Sequence, residues 1–210
     1  MLSTCACLAL LLASARTASA QNLLTNPNFD TDLSNWSIVI VTATFDGTAG
    51  SPSPGSARWT DTVGSNLTVF SGVGQCVAVT PGNTYDFGGQ LLLSGAPVGG
   101  GVRVALALYG TPTCTAPSAQ GNDFSASLVT TTGSWQPSTG QFTVPAGTFG
   151  IRLMGGETTG PTAGDFTVNL DSAFFALSTL PPVPTMSGWW LTILGVALAG
   201  IAAMRRLRTA

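Results

Sequence analysis

Two strand-like runs joined by a turn near the centre of the chain constrain it most: Gln75–Val79, then Pro81-Gly82-Asn83, then Thr84–Leu93. In the second arm Tyr85, Phe87, Gly89, Leu91 and Leu93 fall on one face, and a period of two predicts a strand with one buried side. Pro-Gly-Asn between the arms is a turn signal. Val102–Tyr109 follows the same rule, with Val102, Val104, Leu106 and Leu108 inward and Arg103 and Tyr109 outward. In Phe166–Leu177, Phe166, Val168 and Leu170 share one face and Thr167, Asn169 and Asp171 the other. Shorter β-rich runs lie at Ser37–Phe45, Arg58–Thr60, Leu67–Phe70, Ser127–Thr131, Trp135–Val144 and Phe149–Met154, separated by Gly, Pro, Asn and Ser. No part of the middle has helical periodicity. Roughly eight to ten strands without helices predict an all-β chain, a β-sandwich or jelly roll.

Both ends of the chain are apolar. Leu8–Ala13 followed by Ala18-Ser19-Ala20 reads as a signal peptide over residues 1–20, although no Lys or Arg precedes Leu8 and Arg16 comes late. A buried N-terminal strand or helix is the other reading. From Met186 to Met204 the chain is uncharged for roughly 19 residues, enough for one C-terminal transmembrane helix. Arg205, Arg206 and Arg208 stand behind it as a cytoplasmic stop. The expected plan is a signal peptide (1–20), a β-sandwich (21–177), a Pro-rich spacer (178–184) and a membrane-directed tail (183–208). The sandwich would be presented outside the cytoplasm.

Between the apolar ends lie about 160 residues, enough for one domain with a proper core. This part holds Arg58, Arg103 and Arg152 against nine acidic residues, and the chain has no Lys. With no basic stripe, nucleic acid is excluded as a partner. The absence of His removes the commonest general base, the Ser-His-Asp triad and most zinc sites. Removal of the leader discards Cys5 and Cys7, leaving Cys76 and Cys114. An exported pair is read as a disulfide, ahead of a metal site or a thiol nucleophile that would lack an activating base.

Glycan binding would need aromatic rings flanked by hydrogen-bonding groups. Trp59, Tyr109 and Trp135 are the candidate platforms, with Arg103, Arg152, Gln90 and Asn122 as flanking groups; packing in the core or at an edge is the more common role for any one such ring. An enzyme would have to use carboxylates such as Glu157 and Asp165. Both read as solvated residues of one Gly/Thr-rich loop, and no catalytic residue is assigned.

Several segments together resemble the non-catalytic carbohydrate-binding modules of the galactose-binding-like jelly-roll type. They are Asn22-Leu23-Leu24-Thr25-Asn26-Pro27-Asn28-Phe29-Asp30 with Leu33–Trp36, Gln75–Tyr85, Trp135 with Phe142–Gly147, and Asn169-Leu170-Asp171-Ser172-Ala173-Phe174-Phe175. The resemblance implies a core position for Trp36 and a glycan or exopolysaccharide ligand. It also implies a structural calcium ion held by Asp30 and Asp171 with carbonyl oxygens, hard ligands that calcium prefers. Asp30 stands where the family has a longer Glu; turn or edge hydrogen bonds are the other role for the two aspartates.

Val183-Pro184-Thr185-Met186, with Trp189 and the basic end at Arg205, Arg206 and Arg208, resembles the Ile-Pro-Thr-Leu type of C-terminal sorting signal. Exosortase-type membrane proteases of Gram-negative bacteria process such signals. That resemblance implies export through the inner membrane, anchoring, cleavage near the Pro-Thr motif and transfer to the surface. A permanent single-pass anchor is the alternative for the tail. For the domain, the alternative is a structural or adhesive surface role with no small ligand.

Overall fold

The computed structural model describes residues 20–61, 69–95, 100–115, 124–159 and 165–178. The leader, the spacer beyond Ser178, the sorting motif from Val183 to Trp189 with its basic end, and Asn122 lie outside the described residues. Among the described residues the chain forms ten strands and no helix, so none there is long and apolar enough to cross a membrane. The strands are β1 Ser37–Val39, β2 Ala43–Asp46, β3 Ser56–Asp61, β4 Val69–Ala78, β5 Thr84–Ser94, β6 Gly101–Tyr109, β7 Phe124–Ser125, β8 Trp135–Thr143, β9 Gly150–Thr159 and β10 Phe166–Leu177. They pair into two five-stranded antiparallel sheets, ordered β1-β4-β9-β6-β7 and β2-β3-β10-β5-β8. The expectation of an all-β sandwich holds.

The central turn forms as its residues dictate, and the strands on either side of it join different sheets, β4 in the first and β5 in the second. Asn83 N–H donates to the Thr80 carbonyl at 3.2 Å, and Gly82 takes φ +85°, closing a turn with Pro81 and Gly82 in the middle. Pro presets the first central residue and only Gly takes the second without strain. Tyr85, Phe87, Leu91 and Leu93 are buried, as are Val102, Val104, Leu106 and Leu108 from β6 and Phe166, Val168 and Leu170 from β10. These rows from the two sheets interdigitate as one core, the aligned packing that gives a sandwich its interior. Trp36 belongs to it, its ring 5.0 Å from Phe29 and its indole N–H donating to the Asn26 carbonyl at 3.0 Å.

Three sequence expectations are corrected. Ser37–Phe45 is not one strand, because the chain leaves the first sheet after Val39 and enters the second at Ala43. The crossing turns on Ile40, which takes φ +61° while Val41 N–H donates to the Val39 carbonyl at 2.7 Å. That positive-φ γ-turn is a rare and strained conformation for a β-branched residue. Ser127–Thr131 is also not a strand: β7 is Phe124–Ser125, and Val129 only bridges Val102. Finally, β9 does not stop at Met154 but continues through Gly155 and Gly156 to Thr159. Glycines hide the period of two because they carry no side chain to mark a face.

Candidate functional site

The outer face of the β1-β4-β9-β6-β7 sheet gathers the polar groups. Arg103 on β6 and Glu157 on β9 are direct cross-strand partners, so their side chains leave the sheet side by side. Arg103 Nε donates to Glu157 Oε2 at 2.8 Å and Nη2 donates to Oε1 at 2.9 Å. The Ser125 hydroxyl on β7 donates to the same Oε2. The Glu157 side chain is 3% exposed and that of Arg103 29%. A guanidinium has five N–H donors and this one spends two, leaving three for a ligand.

Further along the face lies an apolar floor. Ala105 and Ala107 from β6 and Met154 from β9 form a small buried cluster outside the sandwich core, with Phe70 and Tyr109 packed against it. Tyr109 ends β6, and the Arg152 guanidinium lies 5.6 Å from its ring centroid, a cation–π distance. Arg152 stands opposite Ala107 on one side and Cys76 on the other. Cys76 is bridged to Cys114, which ties β4 to the loop after β6. From Arg103 to Tyr109 the face runs roughly 20 Å at the usual rise per strand residue. A charged patch with the Ser125 hydroxyl at one end and a ring with a guanidinium at the other, joined by small side chains, suit an elongated ligand with both polar and apolar faces.

The structure brings four of the candidates together: Arg103, Tyr109, Arg152 and Glu157. Glu157, expected in a solvated loop, is instead a buried ion-pair partner on β9. It does not form a carboxylate pair with Asp165, which is exposed before β10. Trp59 is corrected outright. At 2% exposed it is a core residue, and a ring enclosed on all sides cannot serve as a stacking platform. Its indole N–H donates to the Ser71 hydroxyl at 3.1 Å, and Ser71 donates to Asp61 at 3.2 Å. The room for it comes from glycines on the facing sheet. A Cβ on Gly72, whose φ is +87°, would stand 2.7 Å from the indole, and one on Gly156 equally close. No pattern within β3 itself reveals this.

Trp135 is half-buried at the start of β8, opposite Leu92, in the other sheet. Gln90 is likewise in that sheet, in register with Pro137 and Asp171. Neither shares a sheet with Tyr109. A separate open hollow of about 610 Å³ lies at the β2–β3 edge, lined by Ile40, Val41, Thr42, Thr44, Arg58, Thr60 and the 2% exposed Trp59.

Asp30 is exposed, whereas Asp171 is 1% exposed at the bulge of β10. Asp171 Oδ2 accepts from Ser51 N–H and Oδ1 from Ser172 N–H, each at 2.6 Å. Burial raises the Asp171 carboxyl above its ordinary value, these backbone donors oppose the rise, and the Asp30 carboxylate adds to it. Two carboxylates that repel one another, with no arginine ion-paired to either among the described residues, fit a hard cation. Among the described residues no cluster of three or more acidic, Cys or His side chains exists, so further ligands would be carbonyl oxygens.

The fold is that of the jelly-roll carbohydrate-binding modules. The xylan-binding domain of Paenibacillus barcinonensis Xyn10C superposes with a TM-score of 0.56 at 12% identity, over 78% of this chain and 98% of that one. The C-terminal family 22 carbohydrate-binding module of Clostridium thermocellum Xyn10B gives 0.55 at 14% identity, over 74% and 94%. A longer Clostridium thermocellum xylanase 10B chain, which carries such a module beside a family 10 glycoside hydrolase module, gives 0.55 at 11% identity. The match spans 77% of this chain and only 29% of that one. No protein-family model and no curated protein sequence matches the chain. At these identities the likeness is one of fold.

Proposed function

We propose that this protein is a non-catalytic glycan-binding module, and that its ligand lies across the outer face of the β1-β4-β9-β6-β7 sheet. The observation that carries the reading is the placement of the Arg103–Glu157 pair and Tyr109 on one face of a sandwich shaped like xylan-binding domains. Sugar rings present C–H patches that lie on an aromatic ring and hydroxyls that accept from a guanidinium or donate to a carboxylate. Arg103 has three unspent donors, and Glu157 already accepts from two partners that fix its orientation. Xylan, named for the structural neighbours, is the first polysaccharide to test, and the cell's own exopolysaccharide the second.

Asp30 and Asp171 would hold a structural calcium ion, whose charge would relieve the repulsion between them. The tail from Val183 to Arg208 would serve as an exosortase-processed sorting signal, delivering the domain to the surface of a Gram-negative cell. Intact mass of the surface protein tests this: a C-terminus near Pro184 supports processing, and one at Ala210 rules it out.

Binding is tested by calorimetric titration with xylan oligosaccharides and exopolysaccharide fragments. Tyr109→Ala and Arg103→Gln should each weaken binding about tenfold, while Trp135→Ala should not. Unchanged affinity in both of the first two variants would sink the assigned face. No binding to any glycan would favour a structural or adhesive surface domain.

A further inference from the structure

We infer that the saccharide recognised by this face carries an anionic group, a carboxylate or a sulfate, and that Arg152 reads it. The inference rests on the glycan-binding function proposed above and narrows its ligand class. It begins from an asymmetry among the arginines of the described residues. Arg58 lies 3.8 Å from Asp46, and Arg103 forms its two-pronged pair with Glu157. Arg152 has neither a carboxylate partner nor a hydrogen-bond acceptor among the described residues, and its Nε is sealed from solvent.

A buried N–H without an acceptor is costly, and more so on a charged group. The fold nevertheless holds this one in place. The Arg152 stem lies along β4, where Gly74 leaves room: a Cβ there would come 3.3 Å from Arg152 Cδ. The guanidinium rests on Tyr109, and Cys76 beside it is covalently fixed to Cys114. The group is therefore positioned by packing while its hydrogen-bonding capacity stays unused. A planar fork of this kind matches a carboxylate or sulfate, as Arg103 Nε and Nη2 show on the Glu157 carboxylate of the same face. With Nε sealed, an anion would approach the part of the half-buried side chain that is open to solvent and supply the counter-charge that Arg152 lacks.

The balance of charge agrees. The five strands of this sheet carry Arg103, Arg152 and a single acidic residue, Glu157, which is already matched by Arg103. One positive charge is left over on this sheet, in a chain with nine acidic residues against seven basic ones. A neutral sugar would satisfy Arg103 and Tyr109 but leave the Arg152 guanidinium without a counter-charge.

The test compares oligosaccharides of one backbone in neutral, uronate-substituted and sulfated forms, titrated into the purified full chain at low and moderate salt. The anionic forms should bind about tenfold more tightly than the neutral one, with an advantage that shrinks as salt rises. Arg152→Gln should bring the anionic-to-neutral ratio close to one. Arg152→Lys, which keeps the charge without the fork, should give an intermediate ratio and guards against a folding defect. Whichever anion keeps the larger ratio identifies the group read. Equal binding of all forms, or a ratio untouched by Arg152→Gln, overturns the inference while leaving glycan binding intact. Failure to bind any form overturns both.

Discussion

The covalent tie between β4 and the loop after β6 gives the sharpest quantitative expectation. Cys76 and Cys114 are 38 residues apart, and opening a loop of that length should cost about 4 kcal/mol through the restored freedom of the unfolded chain. For a domain of this size that lowers the melting temperature by roughly 10 °C. Two perturbations separate this effect from loss of packing. Mild reduction keeps both sulfur atoms and should show the chain-entropy cost alone. A Cys76→Ala/Cys114→Ala double variant also removes the buried Cys114 sulfur, which is 5% exposed, and should lose about 1 kcal/mol more. Urea unfolding followed by the fluorescence of the buried Trp36 and Trp59 reads both. Because the effect lies in the unfolded chain, which becomes more extended, the denaturant slope should rise on reduction. A midpoint that barely moves would refute this magnitude, and a reduced protein whose native aromatic signals change would show that the bridge shapes the folded state instead.

Trp59→Ala should cost about 4 kcal/mol, as expected for truncating a buried aromatic; stability close to wild type would return Trp59 to the list of surface platforms. Asp46 accepts from the Thr48 hydroxyl at 2.7 Å and the Thr48 N–H at 3.0 Å, and these bonds lower its carboxyl to about 2 from 3.8. Because the folded value lies below the unfolded one, its contribution is present above about pH 4 and lost as pH falls toward 2. Asp46→Asn should therefore be least stable relative to wild type near neutrality, with the gap closing at acid pH; a gap independent of pH refutes the assignment. Asp171 has the opposite sign: its raised carboxyl makes ionisation oppose folding, so without a bound cation its contribution falls as pH rises past 3.8. Millimolar calcium should raise the melting temperature at neutral pH in the wild type and not in Asp30→Asn. Equal melting with calcium and with chelator removes the ion from the account.

Much of the sandwich was legible in the chain itself. A period of two makes opposite faces of a strand different, so Tyr85–Leu93, Val102–Leu108 and Phe166–Leu170 state which side must be buried without reference to any partner. Pro81-Gly82 states its turn for the same local reason, and the pair Cys76 and Cys114 was read as a bridge by elimination of other chemistry. The same alternation put Arg103 and Tyr109 on one outward face, half of the candidate site.

The other half was decided by the tertiary structure. Glu157 became the partner of Arg103 only because β9 continues past Gly155 and Gly156 and lies antiparallel to β6. Arg152 met Tyr109 across the same ladder. Trp59 left the surface because glycines on the facing sheet, distant in sequence, made space for its indole. Asn169 and Asp171 face outward from β10 yet are buried, because Ser56, Asp46 and Ser51 cover them with hydrogen bonds. Alternation is a property of one strand and can be read one strand at a time. Pairing, covering and the space left by a missing side chain belong to two strands at once, and only the folded register brings them together.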